Sequence, residues 1–252
     1  MADDFLSRVQ QSDTRLGNLK FKLPSVKRDS RIFGAFFQAP IKKLRKLIRS
    51  KSIQPTQFFP GIGFIAIYVY EHRDTDIGPY NEFSVVIPLY SPRFAKIPVY
   101  NFLKMMASNE NHNFLLHRAA NSETAVRILK EHFLFPDFQA SIEFTESNDW
   151  KTCEVKEDGE LICRLRGRKI PTQGGGMSKY FISTPQHHQP QVVDINRIQM
   201  ATTRKPSDAE LTLSSTHPIA VEISDTLKSV KPRFYGYAPK TQWAAYGPEV
   251  SR

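Results

Sequence analysis

Two carboxylates in apolar surroundings are the residues of this sequence best suited to chemistry. Glu82 falls in the run Asn81–Ser91, where Phe83, Val85 and Ile87 are apolar. Burying a charge on such a strand is costly unless it is partnered. Glu82 therefore reads either as a pocket acid/base with a raised pKa or as a strand-end glutamate in water beside the Gly78-Pro79 turn. Asp137 directly follows Phe135-Pro136. A Pro-Asp step after a helix reads as turn chemistry, with the side chain accepting a backbone N–H. Two carboxylates facing one pocket separate in pKa, leaving one acid and one base. Other reactive residue types do not assemble. Gly174-Gly175-Gly176 lacks the Gly-Lys-Ser/Thr ending of a phosphate loop and reads as a mobile connection. His187-His188 sits in a Pro/Gln loop without further ligands at helical or strand spacing, so no metal is expected.

The elements that must position these residues are mostly strands. Arg31–Gln38, Gly63–His72, Asn81–Ser91 and Asn113–Ala119 are strand-like, and the second and third are apolar on both alternating faces, as in strands covered on both sides. Further strands are expected at 139–147, 150–157, 160–169, 179–185, 192–203 and 209–215. Residues 1–30 read as a short helix near Phe5–Gln11 followed by an extended arm. A helix opens at Pro40, taken as its first residue, with Ile41, Leu44, Leu47 and Ile48 on one face and bases on the other. Ser122 caps a helix through Phe133, His217-Pro218 opens a last helix through Val230, and Asn101–Ala107 reads as a short helix. Many short strands with few helices point to a barrel or sandwich.

Composition narrows the class. The chain has 252 residues and is 40% hydrophobic, enough for one large core. The formal net charge of +10 reads as a basic surface rather than a nucleic-acid site, because one basic helix without interleaved aromatics is a solvated face. The longest apolar run, Gly61 to Tyr70, is about half of the roughly 20 residues that a spanning helix needs, and the acidic N-terminus is unlike a signal peptide. A cytoplasmic protein without membrane or nucleic-acid partners is the expectation. Cys153 and Cys163 are too few for a disulfide scaffold or a zinc site. They flank Asp158-Gly159, a hairpin turn. A two-residue loop pairs 153 with 164 and turns the sulfurs to opposite faces, whereas a three-residue loop sets the two cysteines opposite each other. Free thiols are expected.

Three segments together resemble the acetoacetate decarboxylase-like superfamily. Ile77–Phe83 is similar to the family's Gly-x-Tyr-x-Glu stretch, Asn113–Arg118 with Leu129–Phe138 to its Gly-Arg-Glu-x-x-Gly-Tyr-Pro-Lys-Lys, and His217–Ala220 with Tyr235–Pro239 to its closing helix and strand. The resemblance spans residues 28–248. It implies a mostly β (α+β) protein, an antiparallel β-barrel with a few peripheral helices. The implied domain runs over 28–252, after an N-terminal arm over 1–27, and forms at least a dimer. In the family a lysine amine adds to the ketone of a β-keto acid, and the iminium stabilises the carbanion left when carbon dioxide departs.

The resemblance breaks at that chemistry. Matching Phe135-Pro136 to the family's Tyr-Pro sets Asp137 at the Schiff-base lysine and Phe138 at the second lysine. Lys130 falls seven residues too early. A second family glutamate falls at Ile65 or Ala66, and a family arginine at Ser30, beside Arg31. The resemblance still implies a cofactor-independent pocket for a keto acid or related carbonyl compound. Glu82 and Asp137 would be its acid/base residues, and Arg31 (as a carboxylate clamp), Tyr80, Arg118, Phe135 and Phe138 its ligand contacts. A lyase-type acid/base enzyme, a non-catalytic ligand-binding barrel and a decarboxylase using a lysine placed elsewhere, for example Lys104 or Lys130, all remain open, and imine-based decarboxylation from position 137 is unexpected.

Overall fold

The alternation of residues along the long strands gives two buried faces to one wall. In β4 (Ile62–Thr75), Ile65, Ile67 and Val69 are fully buried in one hydrophobic cluster, while Ala66 and Tyr70 belong to another. β5 (Tyr80–Pro88) repeats the division: Phe83, Val85 and Ile87 join the first cluster, Tyr80 and Val86 the second. A strand buried on both sides separates two cores, and here the wall is a barrel. The computed structural model describes residues 4–50, 52–90, 100, 109–185 and 190–247.

The barrel is built from β3 (Ser25–Pro40), β4, β5, β6 (Glu110–Ala120), β11 (Gly176–Ser183), β12 (Gln191–Thr203) and β14 (Phe234–Ala245). The ring order is β11-β12-β14-β3-β4-β5-β6, closed by pairing of β6 with β11. That closing pair is parallel, so the barrel is mixed rather than wholly antiparallel as expected. Short β7 (Asp137–Gln139) lies parallel to β6 outside the ring. A second sheet of β8 (Ser141–Ser147), β9 (Trp150–Glu157), β10 (Glu160–Arg168) and β13 (Ala209–Leu213) covers the barrel's outer face. The outer core lies between them, with α2 (Ile41–Ile48) and α4 (Pro218–Thr226) contributing Leu44 and Ile223. The inner core is closed at one end by α3 (Glu123–Glu131), which buries Ala125, Ile128 and Leu129. Ser122 caps α3 by accepting from the N–H of Ala125. α2 keeps Lys42, Lys43, Arg45 and Lys46 exposed, as a packed helix with a solvated basic face does.

Several local expectations change. The N-terminal helix α1 is only Asp4–Ser7. The next residues are not an arm: β1 (Ser12–Leu16) and β2 (Leu19–Leu23) form a hairpin whose Phe21 is buried in the inner core. β3 then begins at Ser25, ahead of the boundary drawn at residue 28, because the β3 ladder starts there against Ala245 of β14. Pro40 is the cap of α2, with extended backbone, rather than its first residue. α4 stops at Thr226 because Leu227 is extended and leads the chain toward β14. The segment Asn101–Ala107 and the pair His187-His188 lie outside the described residues.

The hairpin at Asp158-Gly159 takes the two-residue form, with both residues at positive φ and Glu157 opposite Glu160. A bulge between Leu161 and Cys163 then shifts the register, so Cys163 faces Val155 and Cys153 faces Leu165. The extra residue returns both sulfurs to the same buried face instead of opposite faces. Both thiols are free.

Gly34 of β3 marks the tightest approach in the barrel wall. A Cβ there would lie 2.2 Å from Cδ1 of Tyr68 and 2.8 Å from the carbonyl oxygen of Ile67. Gly34→Ala is therefore expected to destabilise the fold by about 1–3 kcal/mol through overpacking. A urea titration should show a lower midpoint at unchanged slope, and an unchanged midpoint would contradict this packing.

Candidate active site

Strand phase decides which side chains reach the barrel's interior. On β5, the phase that turns Phe83 and Val85 outward turns Tyr80, Glu82, Ser84 and Val86 inward. Glu82 pairs across the ladder with Tyr70 of β4, and Arg118 of β6 lies opposite Ser84. His72, opposite Tyr80, continues the inward row of β4. On β3 the row is interrupted. The ladder with β4 skips Arg28 and then Arg73, so Lys27 lies opposite Thr75 and Ser30 opposite His72. The bulge reverses the phase of β3 at Arg28, which is exposed, and turns Lys27 into the barrel.

These residues converge on one carboxylate oxygen. Oε2 of Glu82 accepts from Nη2 of Arg118 at 2.5 Å, lies 3.3 Å from Nε2 of His72, and is 3.7 Å from Nζ of Lys27. All four residues are at most 5% exposed. A carboxylate only accepts, so His72 donates from Nε2. Its Nδ1 then accepts the hydroxyl of Ser30 at 2.7 Å. The Lys27 ammonium lies over the ring of Trp243, 5.0 Å from its centroid, and the Arg118 guanidinium over that of Phe135 at 4.8 Å.

The environment sorts the titrating groups. Burial pushes Lys27 down to about 8, against the attraction of Glu82. Burial, together with the Lys27 cation, pushes His72 down to about 4, leaving it a neutral donor. Burial alone would raise Glu82, but Arg118, Lys27 and the hydrogen bond from His72 outweigh it and hold the carboxyl well below its ordinary range. Glu82 is thus held as an anion, neither a pocket acid with a raised pKa nor a solvated strand-end glutamate, because Arg118, Lys27 and His72 surround it. The raised carboxyl is Asp137, pushed up to about 7 chiefly by burial. Its Oδ1 is 3.5 Å from Nε of Arg118, and neither of its oxygens has a hydrogen-bond partner.

The cavity beside this cluster measures about 100 Å³. Lys27, Tyr80, Glu82, Arg118 and Phe135 line it, with Tyr70, Leu115, Phe133, Ile195 and Trp243 among the largely apolar remainder. Of the residues read from the sequence, Glu82, Tyr80, Arg118 and Phe135 come together at the cavity. Asp137 is buried behind Arg118 and is not part of the wall. Phe138, next in β7, packs against the outer core. Arg31 also points away: after the bulge it shares the outward phase of Phe33, and it pairs with Glu146 at 3.0 Å and Glu71 at 3.6 Å. Lys130 is exposed on α3, and Lys104 lies outside the described residues. The amine in the cavity wall comes from Lys27, a residue that no motif of the sequence singled out. The phase of β4, which carries Tyr68 and Tyr70 inward, would have exposed His72 as a buried polar residue; no periodicity announces Lys27.

No family model matches the sequence, and no curated protein matches it. Solved structures do match the fold. The acetoacetate decarboxylase of Legionella pneumophila superposes with a TM-score of 0.61 at 14% identity, over 90% of this chain and 87% of that one. The enduracididine biosynthesis enzyme MppR, complexed with the condensation product of pyruvate and imidazole 4-carboxaldehyde, gives 0.56 at 5% identity, over 88% and 86%. An acetoacetate decarboxylase-like enzyme of Sphingomonas wittichii gives 0.51 at 10% identity, over 89% and 91%. The chain has the acetoacetate-decarboxylase-like fold, as the sequence resemblance implied.

Asp137 supplies a pH test of the cluster. The native state keeps its proton up to about pH 7, whereas the ordinary value is 3.8. The stability it contributes is fully present below pH 3.8 and is lost as the pH rises through about 7. Asp137→Asn lacks that loss. Its stability relative to the unsubstituted protein, from urea unfolding, should rise by roughly 2–4 kcal/mol between acid and mildly alkaline pH. A difference that stays flat would show that Asp137 titrates normally.

Proposed function

We propose that this barrel is an enzyme that takes a small keto acid into its cavity and activates the ketone as an imine on Lys27. The observation that carries the reading is the buried Lys27 amine in the cavity wall, 3.7 Å from Glu82. An amine must be neutral to attack a carbonyl. With its pKa near 8, roughly a tenth of Lys27 is neutral at pH 7, against fewer than about one in a thousand for a solvated lysine.

In the first step the neutral Nζ adds to the ketone carbon and a proton passes from nitrogen to oxygen, giving a neutral carbinolamine. A second proton, taken from solvent, lets the hydroxyl leave as water, and the positive charge then rests on nitrogen as an iminium. That cation accepts the electron pair released at the neighbouring carbon when its bond to the carboxylate breaks and carbon dioxide leaves, which makes the reaction lyase-type. Glu82, held ionised by Arg118 and His72, neutralises the iminium from beside it. Asp137 tunes the amine: ionised, it raises the Lys27 pKa, and protonated, it leaves the amine easier to free. The division of labour differs from an acid and a base facing one pocket: Glu82 is the fixed counter-charge, and Asp137, behind Arg118, is the group that exchanges a proton near neutrality.

The complexes of MppR with pyruvate and with a pyruvate condensation product support small keto acids as probes for this fold. The test is borohydride reduction in the presence of acetoacetate or pyruvate, followed by peptide mass spectrometry. A single reduced adduct on Lys27 is expected, with trapping that increases as pH rises through about 8 and disappears in Lys27→Gln. No adduct, or an adduct on another lysine, would refute the reading and leave a non-catalytic binding barrel.

A further inference from the structure

The cavity wall holds a second guanidinium, half-buried, with no acid beside it among the described residues. Arg197 stands on β12 in the inward phase of Val193 and Ile195, and it lines the same cavity as Lys27. Its Nη2 donates to the hydroxyl of Ser178 and its Nη1 to that of Tyr180 at 3.4 Å, both on β11. Its Nε is buried without a hydrogen-bond partner. Among the described residues no carboxylate pairs with it. Arg118 is the contrast, lying between Glu82 and Asp137.

A guanidinium against an apolar wall with no counter-charge is unfavourable, and its planar fork matches a carboxylate. Position favours the same occupant. β12 and β5 are three steps apart one way around the seven-membered ring and four the other, the widest separation that ring permits. Arg197 therefore faces the Glu82 wall across the cavity. A ligand carboxylate beside Glu82 meets a standing anion; beside Arg197 it meets the uncompensated cation.

We infer that Arg197 is the carboxylate anchor of the cavity, with Ser178 and Tyr180 holding its guanidinium in place. The ligand class is a small organic acid that sets its carboxylate on the β11–β12 wall and its remaining carbons against the apolar lining. The inference deepens the reading above and rests on it only for the ketone at Lys27.

Binding of butyrate, which has no ketone, and of butyramide, its uncharged counterpart, separates the two claims. By calorimetry the unsubstituted protein should prefer butyrate by about tenfold or more. Arg197→Gln should abolish that preference while leaving butyramide binding unchanged, Arg197→Lys should retain part of it, and Lys27→Gln should retain it. In the acetoacetate trapping assay, Arg197→Gln should raise the half-saturating concentration by about tenfold with the adduct still on Lys27. Absence of a butyrate preference, or its survival in Arg197→Gln, overturns the anchor. Should Arg197→Gln fail to fold, full retention of the preference by Arg197→Met would overturn it equally. Failure to trap an imine, with the butyrate preference intact and Arg197-dependent, refutes the reaction and leaves the anchor standing.

Discussion

A carboxylate with almost no access to water organises this protein's interior. Glu82 sits where an anion is tolerable only if cations and donors close around it, and Arg118, Lys27 and His72 do so from three different strands. Burial and charge then act in opposite senses on each member. The same desolvation that would neutralise Glu82 is overcome by its neighbours, while it wins at Lys27 and at His72. One interaction thus yields a permanent anion, a neutral imidazole and an amine within reach of neutrality. In the proposed reaction that combination gives a positive charge formed on nitrogen a counter-ion already in place.

The barrel is what allows the cluster to exist. Its wall is buried on both faces, so the outer core can carry stability without contributing to the cavity. Phe33, Ile67, Val85 and Leu116 pack outward beneath the second sheet, leaving the inward positions to residues such as Lys27, Glu82 and Arg197 that stability alone would not select. The exchange of roles at position 137 comes from the same geometry. Asp137, on a short parallel strand beside β6, is behind Arg118 rather than in the wall. From there its charge, when present, raises the pKa of Lys27. The amine comes instead from β3, two strands around the ring from β5.

The features legible in the chain alone were those that repeat along it. The two-faced apolar runs around Ile65–Val69 and Phe83–Ile87 specified covered strands, Ser122 specified the start of a helix, and the order of the segments around Tyr80, Arg118, Phe135 and Tyr235 specified the fold. Glu82, Tyr80, Arg118 and Phe135, which line the cavity, stood out because each lies in such a segment. Only the tertiary structure decided the rest. Lys27 enters the barrel because a bulge at Arg28 reverses the strand's phase, and a bulge depends on the partner strand, which local sequence does not encode. The same kind of shift at Ile162 moved Cys163 to the face of Cys153. Arg31 and Phe138 were lost to the site for the matching reason: each is one residue out of phase with the inward row. Glu82's charge state, Asp137's raised pKa and the missing acid at Arg197 are properties of distance and burial, which appear only when strands far apart in the chain close one cavity.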